Sequence, residues 1–222
     1  MIRRVTTALA LVACTLSAGS ALAATTVTVD PVKINVGFMN VFNLPSDGGA
    51  FQFASGWGFA DLTASYSGSN LTLGPNTIGD PNPYWYIGGG GPGAPGNKIM
   101  EANAYAEETG PLSGTSLTFD GLVLSNTLTS AHTVTAFIKD FAPDYSSNVS
   151  TYVTLPASGY FSVTQATIAD PARHVQYGFQ FVGVNVWVTD VAPFGSVTVS
   201  PYTPTPTEPK RPPEVRLPLE TR

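Results

Sequence analysis

VQYGFQFVGVNVWV, residues Val175–Val188, alternates in a way that decides the fold. Val175, Tyr177, Phe179 and Phe181 face one way, and Gln176, Gly178 and Gln180 the other. A period of two marks a β-strand with one buried face. Val184, Val186 and Val188 then alternate with Asn185, Trp187 and Thr189. Outward from this stretch, similar runs occupy Lys33–Phe42, Phe51–Phe59, Thr115–Leu124, Thr133–Phe141 and Tyr160–Thr167. Turn formers separate them at Pro45–Gly49, Ser67–Asn70, Asp80–Pro83 and Pro156–Gly159. Helical periodicity is almost absent. Many short strands without intervening helices predict an all-β chain, an antiparallel β-sandwich of the jelly-roll type.

The ends of the chain read differently from its middle. Residues 1–23 carry Arg3 and Arg4, an apolar run over Val5–Ala13, and small residues ending in Ala21-Leu22-Ala23. That order is a secretory signal peptide with an A-x-A-type cut after Ala23. The run is too short and too rich in Ala, Thr and Ser for a membrane span, so no transmembrane segment is expected in the mature chain. Leu11-Val-Ala-Cys14 also resembles a lipoprotein lipobox, which would make Cys14 a lipidated terminus. The apolar region ahead of it is short for that role, and the downstream cut is better formed. Both routes lead out of the cytoplasm, to a secreted or surface-held protein. Cys14 is the only cysteine, so the domain has no internal disulfide and depends on its hydrophobic core. That single domain is expected over 24–202. Residues 203–222 contain six prolines and read as an extended, disordered tail.

Residues 24–202 hold four lysines and arginines against twelve carboxylates. Such an acidic surface with scattered cations argues against nucleic acid or an anionic membrane as partner.

The candidate site rests on aromatics. Residues 79–97, GDPNPYWYIGGGGPGAPGN, place Tyr84, Trp85 and Tyr86 between Pro-rich and Gly-rich flanks that exclude helix and central strand. They either plug the end of the sandwich or clamp a ligand from its rim. Trp57 shares parity with Phe51, Phe53 and Phe59 and reads as core. Trp187 instead shares its face with Asn185 and Thr189. Tyr105 shares its face with Glu101, Asn103 and Glu107, while Met100, Ala102, Ala104 and Ala106 point inward. Parity therefore sets Trp187 and Tyr105 on outward sheet faces, with Gln176 and Gln180 on the polar face of their strand. Flat aromatics beside amides and carboxylates suit a sugar: the ring stacks on its C–H face and the polar groups bond its hydroxyls. The bland alternative is local packing of each aromatic.

Other chemistry finds little purchase. Gly91–Gly96 matches G-x-G-x-x-G, but Pro92 and Pro95 lack the N–H groups of a phosphate cradle and no helix follows. Retaining glycosidases need two carboxyls about 5–5.5 Å apart, whereas Glu101 and Glu107 would sit roughly 20 Å apart along one strand. There is no G-x-S-x-G turn and no H-E-x-x-H pair. His132 and His174 are the only histidines, and a turn or strand-start role accounts for His174. Asp140 and Asp144 around Pro143 are candidate ligands for a structural Ca²⁺, against a turn-capping role; no other cofactor is expected.

The closing run over Val175–Val199, with Trp187 and the turn at Asp190, resembles secreted bacterial jelly-roll modules of the carbohydrate-binding type. It also resembles extracellular proteins that bacteria retain at their surface through a C-terminal sorting segment, although this tail lacks the hydrophobic helix and basic end of such segments. The resemblance implies non-catalytic binding of a polysaccharide or glycan. The alternatives are a structural or adhesive envelope or matrix protein capable of self-association, and a polysaccharide-active hydrolase or lyase.

Overall fold

The structure, a computed structural model, describes residues 22–204. Of the signal peptide expected over 1–23 only Leu22 and Ala23 are described, and of the tail expected over 203–222 only Thr203 and Pro204. Twelve strands occur among those described: β1 Ala23–Thr28, β2 Val36–Asn43, β3 Phe51–Trp57, β4 Ala64–Ser67, β5 Asn70–Leu73, β6 Lys98–Thr109, β7 Thr115–Asn126, β8 His132–Phe141, β9 Asn148–Thr154, β10 Gly159–Ala166, β11 His174–Val184 and β12 Val197–Ser200. No described helix is long and apolar enough to cross a membrane.

The strands form two six-stranded sheets. One runs β3-β2-β6-β11-β8-β9 and is antiparallel throughout. The other runs β10-β7-β12-β5-β4, with β1 lying parallel to the first half of β7 beside β12. The pairs β5·β12, β6·β11, β7·β10 and β8·β9 are all antiparallel, and successive pairs alternate between sheets. Strands β5–β8 thus run against β9–β12 as one long rolled hairpin, which is the jelly-roll wrap. The β-sandwich expected from alternation is the one observed.

The core lies between the sheets and is built from the apolar parity of each strand. Val175, Tyr177, Phe179 and Phe181 of β11 are buried there, with Met100, Ala102, Ala104 and Ala106 of β6. Phe119 of β7 meets Tyr177 and Phe179 at ring separations of 5.4 and 5.3 Å. Such aromatic pairs add about 0.5–1.5 kcal/mol beyond area burial.

Three positions depart from simple alternation. Phe51, expected on the core side, is 57% exposed. A register shift opposite Val41 and Phe42 turns it to the outer face, where it packs edge-on against Phe42. Trp187 does not stand on an outward sheet face, because β11 ends at Val184. Its ring is partly buried against the core and meets Tyr86 edge-on at 5.4 Å. Asp140 lies on the core face of β8 and is fully buried. Its Oδ1 accepts from Arg173 Nε at 2.7 Å, its Oδ2 accepts from Ile168 N–H at 2.8 Å, and its carbonyl accepts from Arg173 Nη2 at 2.8 Å. Those partners compensate the burial of the charge.

Candidate site on the outer face of the sheet

Register carries the outer-facing residues of β9, β8, β11 and β6 into rows across the sheet. One row reads Tyr152, Phe137, Gly178, Tyr105. The next, toward the β8–β9 turn, reads Ser150, Lys139, Gln176, Glu107. On the other side lie Thr135, Gln180, Asn103 and Phe38 of β2. Tyr105 and Phe137 are buried but lie outside the inter-sheet core cluster, so they form a second apolar layer on this face. Gly178 separates them because a Cβ there would come within 2.7 Å of Tyr105 Cα and 2.2 Å of Ala104 O. An aromatic lying beside a strand glycine covers backbone that would otherwise be exposed.

Above this floor lies a groove of about 600 Å³, lined by Phe38, Asn40, Asn103, Tyr105, Glu107, Lys139, Phe141, Tyr145, Asn148, Tyr152 and Gln176. That volume is within the range of about 300–1,000 Å³ typical of small-ligand sites. Tyr145, in the β8–β9 turn, is one wall. Its backbone takes the left-handed conformation at φ 58°, which is costly for a non-glycine residue and clusters at functional positions. The strain is held by a flat stack on His174 at 4.4 Å and by Tyr145 Oη donating to Glu107 Oε1 at 2.8 Å. Burial, and then the bond to Glu107, push the Tyr145 hydroxyl up to about 12, so it remains a donor.

A polar network crosses the floor. Gln176 Nε2 donates to Glu107 Oε2 at 2.6 Å, and Asn40 Nδ2 to Glu101 Oε1 at 2.7 Å. Asn103 Oδ1 accepts from Lys139 Nζ at 2.9 Å and from Gln180 Nε2 at 3.2 Å. Lys139 is buried, with its ammonium 4.2 Å from the Phe137 ring centre and 5.8 Å from that of Tyr152. Burial lowers its pKa to about 8, against the opposing pull of Glu101.

The structure divides the sequence-derived candidates into two groups. Glu101, Asn103, Tyr105, Gln176 and Gln180 converge on this outer face. Tyr105, however, is largely buried and meets the groove only from its floor. Tyr84, Trp85, Tyr86, Asn185 and Trp187 gather elsewhere, where the Gly-rich loop closes one end of the sandwich. Tyr86 is fully buried and its Oη is bonded to the carbonyls of Ile78 and Val186. Trp85 packs edge-on against Phe53. Tyr84 is more exposed and holds Lys98 Nζ 4.3 Å above its ring. Asn185 clamps the loop: its Oδ1 accepts from Asn97 N–H and Lys98 N–H, and its Nδ2 donates to Trp85 O. Gly90 is required there, since a Cβ would lie 2.6 Å from Pro81 Cα and 2.7 Å from the Trp187 ring. Gly93 N–H donates to Asp190 Oδ2 at 2.6 Å, so an internal carboxylate occupies the glycine run.

The Ca²⁺ candidates are committed to other partners. Asp140 is held by Arg173 and Ile168, while Asp144 Oδ1 accepts from Ser146 N–H and Oγ in its own turn. No cluster of three His, Cys, Asp or Glu able to hold a metal occurs among the described residues.

Sequence reasoning missed Phe38, Asn40, Lys139, Tyr145 and Tyr152 as site residues. Parity within Thr133–Phe141 places Lys139 on the outer face, so that signal was available. Tyr145 sits in a turn, and Tyr152 in a strand whose sequence, NVSTYVT, has little apolar contrast. Comparison with protein-family models, curated proteins and solved structures gives no match to this chain.

Proposed function

We propose that this protein is a secreted or surface-held, non-catalytic glycan-binding β-sandwich, with its site in the outer-face groove rather than at the Gly-rich loop. The supporting observation is the combination within one groove of Tyr105, Tyr145 and Tyr152 with the amides Asn40, Asn103, Asn148 and Gln176 and the carboxylate Glu107. Aromatic faces accept the C–H side of a sugar ring, and the amides satisfy its hydroxyls. The test is retention on insoluble polysaccharides and titration with oligosaccharides. Tyr145→Ala and Tyr152→Ala are expected to lose about tenfold or more, or about 1.4 kcal/mol. Trp85→Ala, away from the groove, is expected to bind as wild type does once shown to be folded. Equal retention by all variants would remove the groove from the site.

A second reading, assembly through a strand edge, is favoured by one observation. β3 borders its sheet, and its sequence FQFASGW contains neither charge nor proline, the usual guards against edge pairing. Concentration-dependent sedimentation that is abolished by Ala54→Lys, without glycan affinity, would favour it.

A further inference from the structure

Lys139 is the feature of the groove that binding of neutral sugars leaves unused. Its ammonium has three N–H donors. Among the described residues its one hydrogen-bond partner is the neutral Asn103 Oδ1, and it makes no ion pair. The nearby carboxylates are engaged elsewhere: Glu101 accepts from Asn40, and Glu107 from Gln176 and Tyr145. A buried ammonium is costly unless it is paired. This one sits in a ligand-sized groove beside the Tyr105 and Tyr152 rings.

Resting on the glycan-binding reading, we infer that the groove selects an acidic sugar, a uronate whose ring lies on the tyrosines and whose carboxylate accepts from Lys139 Nζ. Aromatic rings, amides and a cation without an ion pair line this one groove together, whereas Lys98, the other buried lysine without an ion pair, rests on Tyr84 and donates to the Asn97 carbonyl. A sugar ring with a carboxylate on its carbon skeleton matches all three. Sulfated sugars share the charge, and an ammonium does not read the planarity of its acceptor, so titration separates the two. The wider acidity of the domain acts over distances that salt screens beyond about 8 Å at physiological strength, whereas the buried contact is screened far less.

The measurement is calorimetric titration of the full-length mature protein with galacturonate, mannuronate and glucuronate oligomers. Each is paired with its carboxyl-reduced neutral counterpart, and a sulfated neutral oligomer is added. At least one uronate is expected to bind tenfold or more tighter than its reduced form, and Lys139→Gln should erase that preference. In wild type the preference should fall by up to about tenfold from pH 7 to pH 9, because Lys139 loses its proton around 8. Tyr105 and Glu107 on β6, Tyr152 on β9 and Tyr145 in the turn line this groove with it, and Glu101 on β6 and His174 on β11 share its outer face. A pH effect persisting in Lys139→Gln would therefore belong to them and overturn the assignment. Equal binding of uronate and reduced forms, or preference for the sulfated oligomer, overturns the inference and leaves glycan binding standing. No binding to any oligomer removes both. If Lys139→Gln fails to fold, the wild-type pH profile and the paired oligomers still decide.

Discussion

Two charged side chains on β8, one residue apart, meet opposite fates because the strand alternates. Asp140 faces the core and is paired with Arg173, whereas Lys139 faces the groove with only an amide. Breaking a buried pair by removing one partner costs about 3–5 kcal/mol. Asp140→Ala is therefore expected to lose that much in denaturant unfolding, while Asp144→Ala, at an exposed turn cap, loses far less. For Lys139 the folded pKa lies below the ordinary lysine value. Between about pH 8 and 10.5 the unfolded chain binds more protons, so stability from this group rises with pH. Unfolding compared between wild type and Lys139→Met from about pH 8 to 9, before the tyrosines whose pKa values burial raises oppose it strongly, should show the more positive slope in wild type. An unchanged slope would count against the burial of this lysine.

At the scale of elements, the loop over Gly79–Asn97 turns aromatics inward, whereas the β8–β9 turn sets one over the groove. The loop concentrates three aromatics yet spends two on packing, because Asn185 and Tyr86 tie it to the chain just past β11 through a part-buried and a buried hydrogen bond. Asn185→Ala removes an acceptor for two N–H groups and a donor to Trp85 O. A loss of about 1–3 kcal/mol is expected, with faster amide hydrogen exchange over the loop and unchanged oligosaccharide affinity. Loss of affinity without a change in exchange would instead return Asn185 to a binding site. The turn contributes one tyrosine, but its left-handed backbone projects that ring over the groove.

For the whole molecule, the rolled hairpin makes most sheet pairings distant in sequence, with only β2·β3, β4·β5 and β8·β9 joining consecutive strands among those described. β1 pairs with β7 from Ala23↔Thr115 onward, and Tyr202 N–H donates to Thr28 Oγ1 across 174 residues. Loop-closure entropy must be met before such contacts contribute, so sandwiches fold in milliseconds to seconds. Stopped-flow refolding should fall in that range; a microsecond phase carrying the full amplitude would contradict it. The same wrap exposes the outer face of the β6–β11–β8 sheet, leaving room for the groove.

How much was legible follows from range. Alternation is local, so β2, β3, β6, β7, β8, β10 and β11, the inward valines and phenylalanines, and the outward Asn103, Tyr105, Gln176 and Gln180 could be read from the chain alone. The short β4 and β5, the parallel β1 and the polar β9 carry little periodic contrast and could not. Parity also says which face a side chain takes but not what covers it; hence Tyr105 is buried and Trp187, beyond the end of its strand, packs inward. The chain by itself determined an all-β sandwich and the polar face of its central strands. Only the tertiary structure decided that Trp85 and Tyr86 of the aromatic-rich loop pack inward and that Lys139, Tyr145 and Tyr152 line one groove. Convergence of residues from β6, β8, β9, β11 and a turn depends on strand order and register, which are long-range pairings that no local period encodes.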